Sequence, residues 1–239
     1  MKYKRVLIKL SGEALMGENK SSKVLDRNVM FEVANQIKEL VNQGLEIGIV
    51  IGGGNIFRGK YCEELSIKRA PADYMGMVAT IFNSLAFKAV LDAVGVDNVV
   101  MSALNINQVC EPYYHLKALR HLEKKKVVIF AGGTGNPYFS TDTASALRAS
   151  EIGADVILMA KNGVDGVYDK DPRKYSDAVM YDSITYDEVL IKKLEVVDLN
   201  AINLCQSNKN NLIIFNMDKK NAIIDVVKGE KIGTFVGEE

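Results

Sequence analysis

What most limits this chain is an alternation. Short β-branched runs are followed, again and again, by longer stretches with helical periodicity. The runs lie at 6–10 (VLIKL), 47–51 (IGIVI), 98–102 (NVVMS), 127–131 (VVIFA) and 156–161 (VILMAK). After the first comes an apolar pattern of Val29, Val33, Ile37, Leu40 and Val41, one face of a helix, with Asp26 placed to cap it and Gly44 just past its end. Further helices are expected over about 73–95, 116–125 and 142–153. Parallel strands need long crossovers, and those crossovers are right-handed. The pattern therefore predicts an α/β fold whose mainly parallel sheet is covered on both faces. After residue 172 the rhythm loosens. Helices are expected at 183–193, 198–208 and 221–228, a strand at 212–215, and an edge strand at 233–236. No linker or repeat interrupts the chain. One domain is expected, with an N-terminal lobe to about residue 150 and a C-terminal lobe after it.

Ligands of such sheets bind at the carboxyl ends of the strands. Here glycine-rich turns stand at those ends: SG at 11–12, GGGN at 52–55, GGTGN at 132–136 and GVDG at 163–166. Glycine lets backbone N–H groups approach phosphate oxygens, although a single such turn is equally a plain tight turn. The common fingerprints fail. A dinucleotide motif starting at Gly52 meets Phe57, and one starting at Gly133 meets Tyr138. The run 54–60 fits the first seven positions of a P-loop, but Tyr61 stands where a Mg²⁺-binding hydroxyl belongs, and Pro71 is expected to interrupt any helix that follows. Zincin, serine-hydrolase and thiol-redox motifs do not occur. His115 and His121, the two histidines, fall on a polar helix and are expected at the surface.

Composition removes other classes. Lys plus Arg is 30 and Asp plus Glu is 30, a balance that disfavours sequence-independent nucleic-acid binding. No apolar run approaches the roughly 18 residues of a membrane helix, and the opening MKYKRVLIKLSGEAL turns from charged to apolar too briefly for a signal peptide. Cys62, Cys110 and Cys205 are odd in number and scattered, which argues against disulfides or a Cys-built metal site. A soluble protein of the reducing cytoplasm is expected.

The motifs together resemble the bacterial uridylate kinases (UMP kinases) of the amino acid kinase superfamily. The matching stretches are KLSGEAL at 9–15, IGGGNIFRG at 51–59, ADYMGMVATIFN at 72–83, TGNPYFSTDTA at 134–144 and AKNGVDGVYDKDP at 160–172, with EVVDLNA at 195–201 and FNM at 215–217 in weaker support. The resemblance runs in order over nearly the whole chain. ADYMGM and TGNPYFSTD are its most specific parts. It implies a three-layer α/β/α sandwich that transfers the γ-phosphoryl group of ATP to UMP, giving ADP and UDP for pyrimidine nucleotide biosynthesis. It also implies Mg²⁺ carried on the nucleotide phosphates, a homohexamer, and inhibition by UTP. Residues Lys9, Leu10, Ser11 and Gly12 would line the ATP phosphates, with Gly54 and Arg58 on the same side. Asn162, Tyr168 and Asp171 would hold the adenosine part. Gly53 and Asp73 would contact UMP, and Thr134, Gly135, Asn136, Pro137, Tyr138, Phe139, Ser140 and Thr141 would wrap it. Members activated by GTP often carry a Phe-Gly-Ile-Asp-like stretch after GEAL. This chain has GENKSSKVLD at 17–26, which counts against GTP activation.

The chemistry of that reaction suits these residues. The acceptor is a phosphate monoester whose second pKa is about 6, so at neutral pH it needs no general base. The obstacle is bringing two anions together, and positioned cations are the remedy. Lys9 ends the first strand and Arg58 offers planar, permanently charged donors. Lys161 ends the fifth strand in the same way, a candidate second cation. Asp142 either caps its helix or orients Lys9 or a Mg²⁺-bound water. Asp73 either caps the helix expected from 73 or accepts from ribose hydroxyls. Tyr168 either stacks on adenine or closes a turn. The helix at 74–94 carries more apolar residues than one buried face needs, as a subunit interface or ordinary core packing would require.

Overall fold

The computed structural model describes residues 2–16, 24–58, 64–194 and 197–238. The Gly59-Lys60-Tyr61 end of the P-loop-like run, Cys62, Glu195-Val196 and most of the 17–26 segment lie outside them.

The five expected strands form and their registers align them. They are β1 (Arg5–Leu10), β2 (Glu46–Ile51), β3 (Asn98–Ser102), β5 (Val127–Ala131) and β6 (Val156–Lys161); β4 is the two-residue strand Glu111–Pro112. They are joined by β8 (Leu212–Asn216), β9 (Thr234–Val236) and β7 (Ser183–Ile184), in the order β4-β3-β5-β2-β1-β6-β8-β9-β7. All ladders are parallel except β8–β9. The segment at 233–236 was expected at the edge; β9 instead lies between β8 and β7, because β7 adds a further parallel strand outside it.

Helices cover both faces. On one lie α1 (Arg27–Asn42), α2 (Arg69–Ala93) and α7 (Ala222–Lys228); on the other lie α3 (His115–Glu123), α4 (Thr141–Ile152), α5 (Tyr186–Ile191) and α6 (Leu199–Asn208). Alternate residues of β1 separate accordingly. Val6, Ile8 and Leu10 pack toward α1, α2 and α7, while Leu7 packs toward the α3–α6 layer. This period-2 division explains why the strands read as continuous apolar runs: both faces are buried. The result is the three-layer α/β/α sandwich.

Three helix expectations are corrected. Helix α2 starts at Arg69, four residues before Asp73, because Pro71 sits in its first turn, where the missing N–H has no partner to lose. Asp73 is therefore not a cap. Helix α4 is capped by Ser140, whose Oγ accepts from the Thr143 N–H, so Asp142 is not a cap either. The helix expected from 183 begins at Tyr186: Ser183–Ile184 pair with β9, and Thr185 with Glu188 forms a capping box that marks the start. Asp26 does cap α1, accepting from the N–H groups of Asn28 and Val29. Helix α2 is long and apolar enough by itself to cross a membrane. Here Ile81, Phe87 and Leu91 on one of its faces are buried against the sheet.

Candidate functional site

Strand β1 is the seam of the sheet. Chain order runs one way from it through β2 and β5, and the other way through β6 and β8. Turns leaving the strands on either side diverge, which opens a crevice at their carboxyl ends. Lys9 is the last inward position of β1 on the α4 face, two residues after Leu7. Lys161 occupies the same face at the end of β6, two residues after Met159. Both lysines meet the same carboxylate from the first turn of α4. Lys9 Nζ lies 2.6 Å from Asp142 Oδ1, and Lys161 Nζ lies 3.5 Å from Asp142 Oδ2. All three side chains are largely buried, so the cluster carries two ammonium groups against one carboxylate: a net positive charge at the crevice.

Electrostatics follow from that burial. Desolvation alone would raise the Asp142 pKa, but the charges of Lys9 and Lys161 outweigh it and hold the group at about 2. For Lys161, burial is the leading influence and the pKa is lowered, with Asp142 opposing and Lys9 reinforcing the shift. The Thr143 hydroxyl donates to the Asp198 carboxylate, the cap of α6, at 3.1 Å. Helix α6 thereby fixes the start of α4.

On the β2–β5 side the crevice is a cavity of about 710 Å³. Its wall includes Gly53, Gly54, Asp73, Phe139 and Thr141 among the expected residues. Two close approaches explain glycines here. A Cβ on Gly53 would stand 2.8 Å from the Gly76 carbonyl oxygen of α2. A Cβ on Gly12 would meet the Gly52 carbonyl oxygen at 2.6 Å and the Gly54 nitrogen at 2.8 Å. The turns after β1 and β2 are thus packed backbone to backbone. Asp73 points away from any cap: it accepts from the Tyr138 N–H at 2.7 Å and from Arg69 Nε at 2.9 Å. That contact joins α2 to the 134–141 segment. Within the segment, Tyr138 has a positive φ of 73° and Thr134 Oγ1 bonds the backbone of Asn136. Gly135 donates to the Gly132 carbonyl, and Asn136 and Pro137 continue the turn toward the cap of α4. Arg58 is near Gly54 as expected, donating to its carbonyl at 2.9 Å and pairing with Glu13 at 2.8 Å.

On the β6 side, Ser11 Oγ donates to Asn162 Oδ1 at 3.2 Å, so two expected ATP-side residues meet across β1 and β6. Leu10, between Lys9 and Ser11, is buried in the core on the opposite face and offers only its backbone to the crevice. Tyr168 forms an antiparallel bridge with Met180. Asp171 bonds Arg173 within its own turn, which lowers its pKa. His115 is exposed; His121 is only partly so and sits 3.1 Å from Glu111, away from the crevice.

Several residues of the site escaped the sequence reading. Lys68, Arg69, Gly76, Met77 and Thr80 line the cavity because α2 begins early and runs along it. Asp218 accepts from Asn162 Nδ2 at 2.7 Å and from the Gly163 N–H at 2.8 Å. The Asn-Met-Asp order after β8 was the available signal, but only the ladder of β6 with β8 brings it to Asn162.

Comparisons with known proteins bear on the fold that carries this site. The amino acid kinase family model matches residues 4–216. The chain is similar to the solved structure of UMP kinase from Bacillus anthracis, at 40% identity and a TM-score of 0.96, covering 100% of this chain and 98% of that one. It is similar also to UMP kinase from Ureaplasma parvum, at 41% identity and a TM-score of 0.94, with both chains covered completely. Uridylate kinase from Archaeoglobus fulgidus matches at 28% identity and a TM-score of 0.74, over 97% of this chain and 99% of that one. A crevice split by β1, with two lysines and a carboxylate at the split, is thus found on a chain matched over most of its length, and the chain belongs to the amino acid kinase family.

Proposed function

We propose that the chain is a UMP kinase that transfers the γ-phosphoryl group of ATP to UMP, yielding ADP and UDP. The observation that carries the chemistry is the Lys9–Asp142–Lys161 cluster at the seam between the two halves of the crevice. The substrate assignment is supported by full-length similarity to UMP kinases at 40–41% identity. In the reaction an oxygen of the UMP phosphate forms a bond to the γ-phosphorus, and the bond to the oxygen bridging the β and γ positions breaks. No proton need move, because the acceptor is already mostly dianionic at neutral pH. Lys9 and Lys161 present positive charge where the two anions approach, and Asp142 keeps both ammonium groups in place between turnovers. Mg²⁺ would enter on the ATP phosphates, with water completing its shell, since Asp142 is already engaged by two cations; when bound it neutralises phosphate charge.

The cavity walled by Gly53, Asp73 and Thr141 takes UMP in this reading, with the turn at 134–141 wrapped around it. The side of Ser11, Gly12, Asn162, Tyr168 and Asp171 takes ATP, with Arg58 and Gly54 between the two. One domain with a UMP-side and an ATP-side lobe is the organisation this implies. Helix α2 presents Tyr74, Met75, Val78 and Phe82, all exposed, along its outer face. Their spacing supports self-association, and the hexamer is the assembly proposed.

An ADP-release assay with UMP, CMP, AMP and N-acetylglutamate as acceptors tests the function, run with and without GTP and UTP. Preferential turnover of UMP is expected. Equal or better turnover of another acceptor would overturn the substrate assignment.

A further inference from the structure

The turn after β5 is held by two side chains that the reaction itself does not call for. Gly132 and Gly133 both have positive φ, 76° and 59°, and open the segment 134–141. From the α2 layer, Thr80 Oγ1 accepts from the Gly132 N–H at 2.9 Å while donating to the Met77 carbonyl at 2.6 Å. From the α4 layer, Arg148 Nη2 donates to the Gly133 carbonyl at 3.3 Å. The turn is therefore gripped from both sides of the sheet.

Both side chains are buried, where apolar residues are the rule. Thr80 is 3% exposed and Arg148 is 4% exposed. A buried guanidinium is unfavourable unless its donors and charge are met. Arg148 meets that demand with Glu151, 2.6 Å away, and with the face of Tyr113, whose centroid is 3.8 Å from its Cζ. Tyr113 in turn donates to Glu151. The Arg148 fork is thus locked before any ligand arrives, with one arm left for Gly133. Thr80 and Gly133 also form part of the cavity wall, so a shift of this turn changes the shape of the cavity directly.

We propose that Thr80 and Arg148 are positioning residues for the acceptor nucleotide: together they set the Gly132–Gly133 turn, and hence the 134–141 segment, in its binding geometry before UMP enters. This rests on the reading that UMP occupies that cavity. The two residues act on the β5 turn and leave the β6 side untouched, so their effect falls on one substrate only.

The test is steady-state kinetics with UMP and ATP varied separately, alongside thermal unfolding. Thr80→Val keeps the shape and removes the hydroxyl. It is expected to raise KM for UMP about tenfold and to leave KM for ATP within about twofold. Thr80→Ser restores the hydroxyl and is expected to stay within about twofold of the unaltered protein for both. Arg148→Lys keeps the charge and loses the fork, and a rise of about threefold in KM for UMP alone is expected. Equal rises for both substrates, or none, would overturn the proposal while the unaltered enzyme still uses UMP. Failure of the unaltered protein to use UMP would overturn the function together with it. Should Thr80→Val not fold, amide exchange in the unaltered, ligand-free protein decides: slow exchange of the Gly132 N–H supports a prebuilt turn, and exchange as fast as at Gly163 refutes it.

Discussion

On the two sides of β1, glycine turns of similar composition are held by different kinds of contact. On the β2–β5 side the fastenings of Gly52 and Gly132 are buried. Asn83, fully buried in α2, donates to the Gly52 carbonyl at 2.7 Å and exchanges amide hydrogen bonds with Asn55. Thr80 holds Gly132 from the same helix. On the β6–β8 side those of Asn162 and Gly163 are exposed, both made to Asp218, while Asp165 makes a part-buried bond to Asn216 and pairs with Lys219. A hydrogen bond shielded from water has no competitor and keeps its geometry, whereas an exposed one exchanges with solvent. In the proposed assignment, the acceptor side is therefore built in advance at Gly52 and Gly132, and the donor side has freedom to settle around its nucleotide at Asn162 and Gly163.

The strongest test of this division acts at the seam, where both halves share one group. Lys9→Ala is expected to lower turnover by about 100-fold while changing either KM by no more than about threefold. The fold should survive, because Lys161 remains beside Asp142. Near-normal turnover in a coupled ADP assay would remove Lys9 from the mechanism. A large rise in only one KM would show that Lys9 belongs to one half and not to the seam.

A smaller effect probes the donor half alone. Asp218→Ala removes the acceptor that holds Asn162 Nδ2 and the Gly163 N–H. Because both contacts are exposed, water replaces them in part. A rise of about fivefold in KM for ATP is expected, with KM for UMP unchanged. Stability to denaturant should move by less than about 1 kcal/mol. A change in KM for UMP instead would erase the contrast between the two sides.

That contrast also explains what the sequence made legible. The five strands of the first two thirds stood out because burial on both faces leaves unbroken apolar runs such as 47–51 and 127–131. Two-residue strands β4 and β7 carry no such run and depend on neighbours for their pairing. Pro71 was read as a breaker when it is a first-turn residue, a distinction that rests on where the helix begins. Thr185 and Glu188 did spell a capping box, and the reading of 183–193 as one helix passed over it. In the site, Lys9 and Asp142 were legible from a strand end and a helix start, and their pairing was one of the alternatives for Asp142. That they touch is a fact of β1 packing beneath α4. Thr80, Arg148 and Asp218 were silent because each acts on a turn more than fifty residues away or in another layer, and no local pattern encodes such a partner.

The smallest expected effect concerns the seam carboxylate and acid. Asp142 has a folded pKa of about 2, below its ordinary value of 3.8. A depressed carboxylate binds its proton less readily folded than unfolded. It therefore adds stability above pH 4 and loses it as pH falls toward 2. The shift corresponds to about 2 kcal/mol at neutral pH, of which about half should be gone at pH 3. Asp142→Asn cannot ionise, so the gap between its stability and that of the unaltered protein should narrow by about 1 kcal/mol between pH 6 and pH 3. Urea unfolding of both proteins at the two pH values measures this. A gap that stays constant would mean that Asp142 feels no net stabilisation from Lys9 and Lys161. Lys9 and Lys161 would still carry their charge, but Asp142 would not be what fixes their place, and the role given to it between turnovers would fall.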